Sequence, residues 1–140
     1  MKPLHATCVA IGGRGVLLTG APGSGKSDLA LRLIDRGAML VSDDGVAIRC
    51  DGERRIALAP ETIVGKMEVR GIGIITQPFV AEAPLALCVA LDGNPERMPP
   101  ETLPTRDIDG SWIPELSLDP FEPSAAIKVE LALLRWGLPT

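Results

Sequence analysis

Gly20-Ala21-Pro22-Gly23-Ser24-Gly25-Lys26-Ser27 follows the apolar run Val16-Leu17-Leu18-Thr19 and precedes a helical pattern that starts at Asp28. It is a complete G-x-x-x-x-G-K-[ST] loop in the order strand, loop, helix, and phosphate binding needs that order. Glycines let successive backbone N–H groups turn inward on an anion, Lys26 can reach the β- and γ-phosphates, and the Ser27 hydroxyl is set to ligate Mg²⁺. A glycine-rich turn with an incidental lysine would match the string but not the helix that follows it. Leu29, Ala30, Leu33 and Ile34 recur at three- to four-residue spacing, and Gly37 after Arg36 ends the element. The loop sits on a helix N-terminus, where the macrodipole favours negative charge. A nucleoside triphosphate or comparable polyphosphate is the expected ligand.

Working outward, Ala6 to Ile11 and Arg14 to Thr19 flank Gly12-Gly13 and predict a hairpin that delivers its second strand into the loop. Ala38 to Val41 reads as a short apolar strand ending on Ser42-Asp43-Asp44. Val46 to Arg49 and Ile56 to Leu58 pair across Asp51-Gly52 as a second hairpin. Gly71 to Thr76 and Leu85 to Leu91 are apolar enough to be buried central strands, and Ile113 to Leu118 alternates like a half-exposed one. Between them, proline and glycine thicken from Asp92 to Pro114, which reads as a long exposed loop. A last helix opens at Ser124 as cap, carries Ile127, Leu131 and Leu134 along one face and stops at Gly137 and Pro139. Hairpins combined with a strand-loop-helix unit predict an α/β fold with a mixed sheet.

Composition bounds the function. At 140 residues and 46% hydrophobic content, the chain 1–140 is expected to be a single domain with a real core. A net charge of -4 without a Lys/Arg stripe argues against nucleic acid as partner. Cys8, Cys50 and Cys88 lack the spacing of a zinc site or a disulfide framework, so reduced and mostly buried thiols are expected. No stretch has the length to cross a bilayer, and Met1 to His5 has no apolar signal core, which predicts a cytoplasmic protein without membrane contact.

The carboxylates Asp43 and Asp44 form a second constellation. At the end of the strand after the P-loop helix, one acid can hold the Mg²⁺ hydration shell and its neighbour can take a proton from an attacking hydroxyl. A polar turn would use the same Asp-Asp-Gly letters, but the preceding strand and the upstream loop favour catalysis. His5, the single histidine, would by itself read as a solvated residue.

Glu68-Val69-Arg70-Gly71-Ile72-Gly73-Ile74-Ile75, taken with the P-loop, Leu40 to Asp44 and His5, resembles the signature of the HPr kinase/phosphorylase family over about His5 to Thr76. Read alone, Glu68 and Arg70 share a strand face and could form a surface ion pair. The resemblance implies a P-loop kinase domain with a phosphoenolpyruvate-carboxykinase-like mixed sheet. It also implies ATP-dependent phosphorylation of a serine of the phosphocarrier protein HPr, and phosphorolysis of seryl-phosphorylated HPr to HPr and pyrophosphate. On the matching positions, Lys26 is the P-loop lysine, Asp44 the general base and reverse acid, His5 the histidine beside it, and Asp43 a support of the metal shell. Glu68 assists Ser27 in holding Mg²⁺, and Arg97 is the nearest match to an arginine used after the strand Leu85 to Leu91.

Members commonly carry a further N-terminal domain and more C-terminal helix. Here the chain starts close to the matching histidine and has one helix ending near Trp136, so the expectation is the catalytic domain alone, as a homo-oligomer, most simply a hexamer. Two other classes stay open. One is a non-catalytic nucleotide-binding regulatory module. The other is a small-molecule kinase, whose arginine-rich lid would have to come from Asp92 to Pro114, where only Arg97 and Arg106 are found.

Overall fold

The computed structural model describes residues 3–139; Met1, Lys2 and Thr140, part of the segments read above, lie outside the described residues. Ten strands and two helices follow one another as β1 (Ala6–Ile11), β2 (Arg14–Thr19), α1 (Lys26–Asp35), β3 (Met39–Ser42), β4 (Ala47–Asp51), β5 (Arg54–Leu58), β6 (Lys66–Val69), β7 (Gly73–Thr76), β8 (Glu82–Ala90), β9 (Thr105–Ile108), β10 (Ser111–Ser117) and α2 (Ala125–Trp136). An eight-stranded sheet has the order β3-β1-β2-β8-β10-β9, with β5 adding to β8 and β4 to β5. The pair β6-β7 forms a separate two-stranded ribbon.

Strand direction is what positions the site. β1 runs antiparallel to both β2 and β3, while β2 and β10 each run parallel to β8. β3, β2, β8 and β10 therefore all point the same way, and the loops after them emerge along one edge, where ligands of open α/β sheets bind. The hairpins β1-β2, β4-β5 and β9-β10 add the antiparallel pairs, so the sheet is mixed as expected.

The central strands are apolar throughout because each of their faces lies in a core. Val9, Val16, Leu18, Leu87 and Val89 pack with Leu29 and Leu33 of α1 and Val129 and Leu133 of α2. The alternate residues Cys8, Leu17 and Cys88 pack on the other face with Ile48, Ala57, Ile108 and Ile113.

Three expectations change. Gly71 to Thr76 is no buried central strand: among the described residues β7 pairs only with β6, and Ile72 and Ile74 are 74% and 72% exposed. The stretch Asp92 to Pro114 is not loop throughout, since β9 and the start of β10 turn at Asp109-Gly110 within it, both at positive φ. The face of α2 that carries Ile127, Leu131 and Leu134 points outward. The helix buries Ala125, Ala126, Val129, Ala132 and Leu133 instead, and Ser124 occupies the cap position without a side-chain capping bond.

Candidate active site

The P-loop lies between the end of β2 and the start of α1. Gly25 takes φ +99 at the helix cap, a left-handed turn that glycine adopts without steric cost. A Cβ on Gly20 would run into the Ser24 hydroxyl, so the loop is wound too tightly there for a side chain. Lys26 is buried, and its Nζ donates to the carbonyls of Gly20 at 2.8 Å and Ala21 at 3.1 Å. Ala21, Pro22 and Gly23 form the exposed crown of the loop. The Ala21 N–H donates to Asp92 Oδ2 at 3.2 Å, which ties the crown to the residue just past β8. The buried Ser24 hydroxyl has no hydrogen-bond partner among the described residues.

Ser27 and Asp43 meet across the gap between α1 and β3. The Ser27 hydroxyl donates to Asp43 Oδ1 at 2.6 Å, and Thr7 from β1 donates to the same oxygen at 3.2 Å. The Glu68 N–H of β6 donates to Asp43 Oδ2 at 3.3 Å. Asp43 is only 8% exposed, and three donors on three other elements hold its carboxylate in one orientation. Such bonds to a charged acceptor are the stronger kind. The Glu68 side chain is itself exposed, because its neighbour Met67 turns into the core and successive strand side chains alternate.

Asp44 follows at φ +53, an uncommon conformation for a residue with a side chain. Its N–H donates to the Thr7 hydroxyl at 3.2 Å, so Thr7 braces both aspartates. The outcome is a division of labour between neighbours: Asp43 faces inward and Asp44 faces solvent. His5 Nδ1 lies 3.4 Å from Asp44 Oδ1, with both side chains well exposed.

His5, Thr19, Gly20, Asp92 and Arg106 line a cleft of about 320 Å³ floored by Leu17. It joins the first loop residue to the partner of Asp44. Arg106 of β9 is held from behind by Glu115 at 3.1 Å. Arg97 lies on the exposed stretch after β8, and among the described residues no hydrogen bond or ion pair joins it to the loop or the aspartates. The structure thus brings together His5, Lys26, Ser27, Asp43, Asp44 and the backbone of Glu68. It also adds Thr7, Asp92 and Arg106, which the sequence reading did not assign to the site. Asp92 had a signal, an apolar strand ending on an acid; Thr7, mid-strand in an apolar run, had none.

The donor set suits a hard cation. Mg²⁺ takes oxygen ligands from one or two carboxylates, waters and substrate phosphates, and a hydroxyl and a carboxylate 2.6 Å apart beside a P-loop match that demand.

Comparison with known proteins points one way. The family model for the HPr Serine kinase C-terminal domain matches residues 1–81. The HPr kinase/phosphorylase of Clostridium botulinum is 49% identical over 72 residues, which is 51% of this chain and 24% of that protein. The HPr kinase/phosphorylase of Halalkalibacterium halodurans is 42% identical over 100 residues, 64% of this chain and 31% of that protein. The chain thus matches only a quarter to a third of the length of these relatives. A solved structure of the Hpr(Ser) kinase/phosphatase from Coxiella burnetii superposes with a TM-score of 0.81 at 30% identity, covering 96% of this chain and 95% of that one.

Proposed function

Because this chain belongs to the HPr serine kinase C-terminal domain family, we propose that it is a single catalytic domain that transfers the γ-phosphoryl group of ATP to a serine of HPr. In the reverse direction it uses inorganic phosphate to release HPr and pyrophosphate from the seryl-phosphorylated form. The observation that carries this reading is the pairing of two adjacent aspartates with different partners at the loop, Asp43 with Ser27 and Asp44 with His5. One carboxylate is fixed for charge compensation and the other is free to exchange a proton.

In the forward step, loop amides from Gly20 to Ser27 cradle the phosphates and Lys26 leaves its carbonyl partners for the β- and γ-phosphoryl oxygens. The orphaned Ser24 hydroxyl gains an acceptor in a phosphate oxygen. Ser27, Asp43 behind it and Glu68 from β6 would hold Mg²⁺, which when bound neutralises charge on the phosphoryl oxygens. Asp44 accepts the proton of the serine hydroxyl as its oxygen attacks in line, and His5 orients Asp44. The cleft beside His5 and Gly20 takes the acceptor. In reverse, protonated Asp44 donates to the leaving serine oxygen while phosphate attacks the phosphoserine phosphorus, by microscopic reversibility.

The reading extends to a cytoplasmic protein and a homo-oligomer, with the hexamer as its simplest form and light scattering as the check. Among the described residues no helix is long and apolar enough to cross a membrane, and the net charge of -4 suits a protein partner better than nucleic acid.

The test is incubation with purified HPr, Mg²⁺ and ATP, followed by pyrophosphate release from seryl-phosphorylated HPr with and without millimolar phosphate. Transfer to HPr and phosphate-dependent pyrophosphate release support the proposal. Nucleotide binding with no transfer would replace it with the regulatory module, and dephosphorylation indifferent to phosphate would indicate hydrolysis.

A further inference from the structure

Phe121 is one of four aromatic residues in the chain, and its ring is 72% exposed at the rim of the P-loop. An isolated exposed phenylalanine needs no explanation. This one differs because its backbone is braced while its ring is left open. The turn that carries it follows β10, so it leaves the sheet on the same edge as the P-loop after β2, the aspartates after β3 and Asp92 after β8.

Arg32 of α1 reaches over and donates to the Pro120 carbonyl and, at 3.3 Å, to the Glu122 carbonyl. Asp119 Oδ1 accepts the Phe121 N–H at 3.0 Å, and Lys128 holds the Glu122 carboxylate at 2.8 Å. Pro120 is buried. A Cβ on Gly25 would lie 3.2 Å from Pro120 and 3.5 Å from the Phe121 ring, so the turn packs directly on the residue that begins the α1 N-terminus. The other aromatics are engaged or placed elsewhere. Phe79 packs on Gly65, the Trp136 indole donates to the Glu101 carbonyl at 2.9 Å, and Trp112 stands at the opening of β10, the far end of that strand.

We propose that Phe121 is the stacking platform for the base of the nucleoside triphosphate whose phosphates the P-loop takes. The inference rests on the P-loop reading above and adds the nucleoside half of the site. A triphosphate seated on the loop amides leaves its sugar and base to extend past the α1 N-terminus, where the ring stands. Stacking on an aromatic face uses the π-surface that every base has, so the platform strengthens binding of nucleosides over bare polyphosphate without choosing among bases by hydrogen bonds. Because two carbonyls and one N–H of the turn are already bound, little ordering cost falls on the ligand.

The test is calorimetric titration of the full chain with Mg-ATP and, separately, with Mg-tripolyphosphate, which has the phosphates and no base. Phe121→Ala will weaken Mg-ATP roughly tenfold, the scale of one base-aromatic stack, and leave tripolyphosphate affinity unchanged. Phe121→Trp will keep Mg-ATP affinity at or above the starting value. An unchanged Mg-ATP affinity in Phe121→Ala, or equal losses for both ligands, overturns the platform and leaves the phosphate site standing. A wild-type chain that binds neither ligand overturns the platform and the P-loop reading together.

Discussion

The Ser27 hydroxyl lies 2.6 Å from Asp43 Oδ1, joining the last residue of the phosphate loop to the strand that begins 12 residues later in the chain. Removing that carboxylate strands three donors, from Thr7, Ser27 and Glu68. Asp43→Ala will therefore cost about 1–3 kcal/mol of stability, the usual penalty for unmet buried donors, read by urea denaturation. Asp43→Asn replaces one acceptor oxygen with an NH2 donor and removes the charge; with its oxygen turned to the Glu68 N–H, its NH2 can donate to the Ser27 and Thr7 hydroxyls, so it strands fewer donors than alanine does. It will melt close to wild type yet need more Mg²⁺ for half-maximal transfer.

Asp44 faces solvent beside His5 and has no comparable packing duty. Asp44→Asn will abolish phosphoryl transfer to HPr while Mg-ATP affinity, measured by calorimetry, stays within about twofold, as loss of a base removes a step and not a binding contact. His5→Ala will lower kcat by less. Transfer near the wild-type rate in Asp44→Asn would reject the base assignment.

Among the described residues Lys26 Nζ hydrogen-bonds only to loop carbonyls, so its truncation removes a phosphate-directed charge and no apolar core side chain. Lys26→Ala is expected to lower transfer by about two to three orders of magnitude, the scale of losing one charge-stabilising donor, with an unchanged circular dichroism spectrum. Lys26→Arg will not restore it, because the guanidinium fork does not fit the space of a compact ammonium.

The cysteines give a pH prediction. Burial raises the Cys88 thiol from 9.0 to about 12, with Glu115 adding to the effect, and burial next to Cys88 raises Cys8 as well. The unfolded chain sheds these protons first as pH climbs. The stability they contribute is whole below about pH 9 and falls between pH 9 and 12, which urea melts at stepped pH will show. At neutral pH the exposed Cys50 will be the one thiol that reacts rapidly with a disulfide reagent, and all three will react after denaturation.

Local features were legible in the sequence. The loop, its strand and its helix are contiguous, so spacing alone located them, and β1 and β2 begin and end where the Gly12-Gly13 turn predicts. What failed depended on tertiary surroundings that the local pattern does not record. Ile72, Ile74 and Ile75 look like a buried strand because apolarity does not record that the only strand pairing with β7 among the described residues is β6. In α2, apolar residues surround much of the helix, so a stripe through Ile127, Leu131 and Leu134 competes with one through Ala125, Val129, Ala132 and Leu133. The smaller residues won because they allow close approach to α1 and β8. β9 escaped notice because Thr105-Arg106-Asp107 is polar, as an edge strand can be. The same limit hid Thr7, which becomes a site residue only when β1 pairs with β3.

The part of this chain that matches the family model is shorter than the sheet that supports the site. The family model ends at residue 81 and β8 begins at Glu82, yet β8 is the strand against which β2, β5 and β10 all align. On a ribosome, the phosphate loop would be complete as sequence long before its supporting strand exists, and such long-range pairings close late. A polypeptide cut after residue 81 would carry nearly every motif of the proposed site and show no cooperative melting transition. The residues of the proposed site are concentrated in the first half of this chain, and their mechanical support is supplied by the second.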